Sequence, residues 1–368
     1  MKDGAGKFTK GCLVTALVTF ILGCIICGVG ALFGGFRVLE GTDVREITGI
    51  PFRFHRYDNG DVEYGFGWDD DGWDDDDDWD DDDDWDDDDD WDDDFDWSKY
   101  EKWNKVNKSG DVVEFDLTAD TFRNLYVELG LCELHIMEAK DDHVSLKVSG
   151  TTKNFRYIQE DGDSLRMVNM TEKKFWNWDR SAVRTKVHLY LPEGTALNYA
   201  GIAIGAGSAE SIGIQAHEMN LDVGAGECTV NGSTTVDSMN LTVGAGRITL
   251  EDLNARDLNI DVGAGELFIK NARTTGETDL SLGMGNAELS GLFTGDMDIE
   301  CGMGNVTLKL DGAESDHNFD IECALGNVRL GSRSYTGLAD EVSINNGSRS
   351  TYDVECNMGN VRIEFDRE

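Results

Sequence analysis

Val243-Gly244-Ala245-Gly246-Arg247-Ile248-Thr249-Leu250 is followed one unit later by Val262-Gly263-Ala264-Gly265-Glu266-Leu267-Phe268-Ile269, and this recurrence decides the fold. The same turn stands earlier at Gly205 and Gly207 and at Gly224 and Gly226, and later at Gly283 and Gly285 and at Gly302 and Gly304. Degenerate copies follow at Cys323-Ala324-Leu325-Gly326 and Cys356-Asn357-Met358-Gly359. The spacing is about 19 to 20 residues, and a fixed period in this range marks stacked structural units. Apolar residues alternate on both sides of each turn: Leu241 and Val243 precede it, and Ile248 and Leu250 follow. Each unit therefore reads as two short strands with one apolar face that cannot be buried alone. Stacking in parallel at about 4.8 Å buries those faces and predicts an all-β, parallel β-solenoid of about 19-20-residue coils.

The residue after the second glycine supports stacking in register. It runs Glu227, Arg247, Glu266, then Asn286, Asn305, Asn327 and Asn360. Vertical neighbours ordered Glu, Arg, Glu attract where like charges would repel. The asparagines suit a turn and an amide ladder. The repeated Gly-x-Gly is read as a backbone turn, because a dinucleotide loop opens a helix and occurs once per site.

Upstream of the repeats the chain changes character. Residues 1–10 form a short basic leader, and 11–36 carry no charge. At helical rise those 26 residues span about 39 Å, enough to cross a hydrocarbon core of roughly 30 Å as one transmembrane helix. No small-residue cleavage site follows, which predicts an uncleaved single-pass anchor in the cell membrane. The basic leader favours a cytoplasmic N-terminus and an extracytoplasmic C-terminal domain. Residues 37–110 read as a linker, and 111–368 as the strand-repeat domain, with the clearest repeats over 200–366.

The linker holds a low-complexity tract at 68–97, in which 22 residues are Asp and Trp recurs at 68, 73, 79, 85, 91 and 97. Such charge density predicts disorder. The tract is read first as a spacer. Cation capture, through residues such as Asp74, Asp80, Asp86 and Asp92, would be weak and spread over many sites, since no EF-hand spacing is present. The net charge of −41 suits basic partners and excludes nucleic acid, which needs a basic footprint.

Val187-His188-Leu189-Tyr190-Leu191-Pro192-Glu193-Gly194-Thr195, running into the Gly-Ala-Gly repeats, resembles the bacterial "putative adhesin" family of β-strand-repeat domains of unknown function. Val127-Glu128-Leu129-Gly130-Leu131-Cys132-Glu133-Leu134 looks like a worn first copy. The resemblance covers roughly residues 112–366 and leaves out the Asp/Trp tract. It implies an envelope-associated protein with relatives among Lia-type cell-envelope-stress components.

The remaining motifs point away from catalysis. His217-Glu218 lacks the second histidine of a zinc-protease motif, because Leu221 stands there. Asp222 and Asp261 share a motif position, but the winding between them has Thr242. Cys301, Cys323 and Cys356 occupy the slot of Val223, Val243 and Val262 and read as small core residues. Stacking in chain order would put Cys301 beside Cys323 within Cα reach of a disulfide, although parallel Cβ vectors disfavour closure. The best candidate contact loop is Lys173, Lys174, Phe175, Trp176, Trp178 and Arg180, exposed aromatics flanked by cations, with a packed hairpin tip as its rival reading.

These readings predict a non-enzymatic, membrane-anchored surface or envelope interaction module with no catalytic residue, cofactor or specific metal. Its expected partners are the membrane and an envelope glycan, a cationic peptide or a protein. Two alternatives stand beside it: a cytoplasmic, membrane-tethered scaffold polymerising through its solenoid ends, and a polysaccharide-active β-helix enzyme. The charged tail Glu364-Phe365-Asp366-Arg367-Glu368 argues for a closed end and against the polymer.

Overall fold

A computed structural model describes residues 102–169, 185–336 and 340–367, together with an antiparallel strand pair, Phe52–Arg56 and Val62–Phe66. The predicted membrane span, the Asp/Trp tract and the candidate contact loop lie outside the described residues. Among the described residues no helix is long and apolar enough to cross a membrane.

The repeat is a parallel stack. One ladder runs Ser164–Asn169, Asn124–Leu129, Ala196–Ile204, Gln215–Val223, Thr234–Val243, Leu253–Val262, Thr278–Leu282, Met297–Cys301, Thr351–Cys356, Asn318–Cys323. The second runs Lys186–Leu191, Glu133–Glu138, Ser208–Ile212, Glu227–Asn231, Arg247–Glu251, Glu266–Thr274, Asn286–Phe293, Asn305–Ala313, Asn360–Arg367, Asn327–Leu330. In the six windings from Ala196 to Ala313 a Gly-x-Gly turn joins the strand of the first ladder to its partner in the second.

Period two explains the core. Val223, Val243, Val262 and Leu282 pair in register, and all four are buried. Ile248, Leu267, Ala287 and Val306 form the facing column. Each fully buried aliphatic side chain contributes about 1.5–3 kcal/mol. The worn copy stacks as well, with Leu129 against Ile204 and Leu134 against Ala209.

Each winding has a third, shorter side that the two-strand reading missed. Thr235 and Val236 pair with Asn254 and Ala255, which pair with Arg273 and Thr274, which pair with Leu292 and Phe293. The corner leading into it is left-handed at Gly232, Asp252, Asn271, Gly291 and Gly312. Only Gly, Asn and Asp visit that conformation readily, so the corner position alternates among those types.

Spatial order departs from chain order at both ends. The Asn124–Glu138 winding lies between the one built from Ser164–Asn169 and Lys186–Leu191 and the one at Ala196–Ile212. Likewise the final strands, Thr351–Cys356 and Asn360–Arg367, slide between the windings at Met297–Ala313 and Asn318–Leu330. The winding that carries the charged tail is therefore inside the stack, with Glu364, Phe365 and Arg367 paired on one side only, to Lys309, Leu310 and Ala313. Antiparallel strands close the far end: Asp340–Ile344 pairs with Asn318–Cys323, and Arg333–Thr336 with Asn327–Leu330. At the near end, Phe155–Glu160 and His143–Ser149 pair antiparallel with the outermost windings, followed by Asn104–Lys105 and Val112–Thr118.

Candidate functional site

The turn column shows why its glycines are placed as they are. A Cβ at the second glycine of each turn would collide with a carbonyl oxygen of the turn below: Gly226 against Gly207, Gly265 against Gly246, Gly304 against Gly285. At the first glycine the approach is looser, 2.7 Å at Gly244, 3.0 Å at Gly263 and 2.8 Å at Gly283 and Gly302. The degenerate copies follow this difference. Ala324 and Asn357 replace the first glycine, while Gly326 and Gly359 keep the second. These glycines lie in the turns between the two ladders.

The turns border an open groove of about 730 Å³ running from Leu131 to Met284 across Ala206, Ala225, Ala245 and Ala264. One wall is the predicted column of turn residues. Arg247 Nε lies 2.8 Å from Glu266 and its guanidinium 3.8 Å from Glu227. Farther along, Asn305 Nδ2 donates to Asn286 Oδ1 and Asn360 Nδ2 to Asn305 Oδ1, both at 2.9 Å. Elsewhere on this sheet charges pair between windings: Lys186 with Glu133 at 2.5 Å, Lys270 with Glu251 at 3.3 Å, and Lys309 with Glu288.

The outward side of the other sheet is treated differently along its length. In its first part, Asn220, Asn240 and Asn259 stack, with Asn240 Nδ2 donating to Asn220 Oδ1 at 2.7 Å and Asn220 Nδ2 to the Tyr199 hydroxyl at 3.0 Å. The next column alternates acid with hydroxyl: Asp222, Thr242, Asp261, Ser281. Burial lifts the Asp222 carboxyl to about 6, against the opposing effect of a Thr242 hydrogen bond. Burial also lifts Asp261. Asp222 and Asp261 are thus two windings apart, with Thr242 between them.

Past Ser281 this neutralisation stops. Asp279, Asp298, Asp353 and Asp320 form one column, and Glu300, Glu355, Glu322 and Glu341 the next. Burial and then the charges of Asp298 and Asp320 raise the Asp353 carboxyl. Burial, followed by Glu300 and Glu322, raises Glu355. Sequence reading missed this surface although its signal was present. Asp298-Ile299-Glu300-Cys301, Asp320-Ile321-Glu322-Cys323 and Asp353-Val354-Glu355-Cys356 are near-identical, and only the register shows that their carboxylates align.

Cys301, Cys356 and Cys323 form a buried column in that order, so Cys356 separates the pair expected to be neighbours. All three are free thiols, and Cys301 and Cys356 point Sγ toward the carbonyls of Gly304 and Gly359 at 3.5 and 3.3 Å. Burial pushes the Cys132 and Cys228 thiols up to about 12, which keeps them protonated and unreactive. The His135 and His188 rings stack at 5.1 Å, and His135 Nδ1 lies 3.6 Å from Glu210. Among the described residues no three His, Cys, Asp or Glu side chains converge as metal ligands.

A family model described as Toastrack DUF4097 matches residues 122–365, which is most of the stack just described. This chain belongs to the DUF4097 toastrack family. Solved structures similar to this toastrack chain include a putative adhesin from Bacteroides fragilis, with a TM-score of 0.44 and 14% identity, covering 70% of this chain and 98% of that one. Another is a putative lipid binding protein from Parabacteroides distasonis, with a TM-score of 0.39 and 12% identity, covering 69% and 97%. A putative adhesin from Parabacteroides merdae has a TM-score of 0.36 and 15% identity, covering 71% and 98%. No curated protein matches the chain significantly.

Proposed function

We propose that this toastrack protein is a membrane-anchored, extracytoplasmic interaction module that works by binding rather than by catalysis. The observation that carries this reading is the organisation of its outer surface. Chemically like side chains are aligned over many windings, which suits an extended partner contacting repeated groups. A retaining glycan-cleaving site at Asp222 would need a second acid about 5 Å away, and the adjacent position is Thr242. Polymerisation through the stack ends is disfavoured because antiparallel strands cap both, leaving no parallel repeat strand for a second copy to extend. The anchor is the apolar segment 11–36, with the acidic tract holding the domain away from the membrane.

Protease shaving of intact cells carrying a C-terminal tag tests the placement. Loss of the tag signal, with a cytoplasmic marker intact, is the expected result. A tag that survives shaving but is digested in lysed cells places the domain inside and overturns the proposal.

A further inference from the structure

An exposed apolar stripe runs along one edge of the acidic windings. Among the described residues the exposed large hydrophobics are Val112, Met284, Met358 and Leu325, and the last three, 39%, 52% and 64% exposed, share one position in the turn. With half-buried Met303 they stack in the order Met284, Met303, Met358, Leu325, each backbone N–H bonded to a carbonyl of the turn before it. Four windings make the stripe about 14 Å long. Met and Leu on consecutive windings leave apolar surface uncovered by the fold, and flexible thioethers suit an adaptable binding surface.

The occupant follows from the charge beside it. Three residues before Met303, Met358 and Leu325 stand Glu300, Glu355 and Glu322, and two residues further back Asp298, Asp353 and Asp320. With Asp279 and Glu341 this makes two columns of four carboxylates at about 4.8 Å vertical spacing. None of the eight makes an ion pair among the described residues. In-register like charges are destabilising. The same sheet avoids them earlier with an asparagine column and an acid/hydroxyl alternation, and on the opposite sheet Lys270 pairs with Glu251 and Lys309 with Glu288, although Arg362 and Arg329 stand in register there. The cations that match this face must come from outside. They must also come attached to an apolar ridge, because the stripe lies alongside.

We propose that the Met284–Leu325 stripe and its flanking carboxylates dock a basic amphipathic helix lying along the stack axis. A helix advances about 5.4 Å per turn against about 4.8 Å per winding, so four turns stay within roughly 2 Å of register with four windings. Its apolar face then covers the stripe, while lysines or arginines one turn apart meet successive carboxylates. This proposal rests on the binding-module reading but is tested separately. Shaving reports where the domain is, and the assay below reports what this face binds.

The test uses full-length protein in detergent and a fluorescent Leu/Lys amphipathic peptide of about 18 residues. A scrambled peptide of the same composition serves as comparison, with anisotropy measured at about 0.15 M salt. The helical probe is expected to bind at least about tenfold more tightly than the scramble. The triple variant Glu300→Gln, Glu322→Gln, Glu355→Gln and, separately, Met303→Ser with Met358→Ser should each remove most of that preference. The Asp/Trp tract is present in every sample, so peptide held by the tract alone would be insensitive to both variants. Because the Glu→Gln changes relieve repulsion, the melting temperature of the triple variant should not fall, which separates lost binding from lost folding. Equal affinity for helix and scramble, or unchanged affinity in either variant, overturns the proposal.

Discussion

Cys356 is in register with Cys301, so a strand from the end of the chain is built into the stack between windings that precede it in sequence. The far end of the domain therefore cannot finish folding until the last residues arrive. Truncation after Ser350 should leave Met297–Cys301 and Asn318–Cys323 without the strand that pairs with both. Hydrogen exchange over residues 297–344 should lose protection, while residues 215–262 keep theirs. Retained protection across 318–330 would refute the insertion.

Tyr352 anchors the inserted strand. It is fully buried, its hydroxyl donates to Phe293 O at 2.9 Å, and its ring lies 4.3 Å from His317 and 5.6 Å from Phe319. Tyr352→Ala should cost about 3–5 kcal/mol in a denaturant melt. Tyr352→Phe, which keeps the ring and leaves Phe293 O without its donor, should cost about 1–3 kcal/mol.

Gly265 and Gly263 belong to one turn but differ in tolerance. Gly265→Ala drives a methyl into Gly246 O and should destabilise by about 1–3 kcal/mol or more. Gly263→Ala, with 3.0 Å to Gly244 O, should cost under about 1 kcal/mol. Equal melting temperatures for the two variants would contradict the packing account.

Asp222 gives the domain a pH dependence with a definite sign. Its folded pKa of about 6 lies above the ordinary 3.8, so the folded state binds its proton more tightly than the unfolded chain. The penalty of holding the charge is complete at pH 7, relieved as pH falls through 6, and absent below the ordinary value. Asp222→Asn should therefore stabilise on the order of 1–2 kcal/mol at pH 7, with the advantage shrinking toward pH 5. Melting curves of both proteins at the two pH values measure it, and a gain that grows on acidification would reverse the sign.

Cys132, Cys228, Cys301, Cys323 and Cys356 are all buried and unbridged. A chromogenic thiol reagent should react with them only on unfolding. Cys301→Val should cost under about 1.5 kcal/mol, since valine fills the equivalent slot at Val243 and Val262. Rapid labelling of folded protein would show the column to be open to solvent.

The repeat itself was legible in the sequence because sterics dictate it: the glycine spacing, the two-residue alternation, and the Glu-Arg-Glu and Asn columns each follow from stacking. The order of the last windings was not. Asp-Ile-Glu-Cys and Asp-Val-Glu-Cys fit any neighbour of their own kind, so only the antiparallel strands Arg333–Thr336 and Asp340–Ile344 reveal that Cys323 lies outermost of the three. The third side was hidden because it is only about three residues long in each winding, as in Leu253-Asn254-Ala255, too short for its buried-exposed-buried pattern to stand out. The carboxylate face was overlooked because the position two residues before the turn was compared only as far as Asp261, and the one four residues before it not at all.

Caps at both extremities make the number of windings a property that can be edited from within. A unit of 20 residues separates Gly226 from Gly246, and equivalent atoms meet on either side of it. Excising or duplicating such a unit would shorten or lengthen the rod by about 4.8 Å while leaving both lids untouched. Gene-level duplication inside this domain thus offers descendants a graded choice of reach, in steps set by the hydrogen-bond spacing of the backbone.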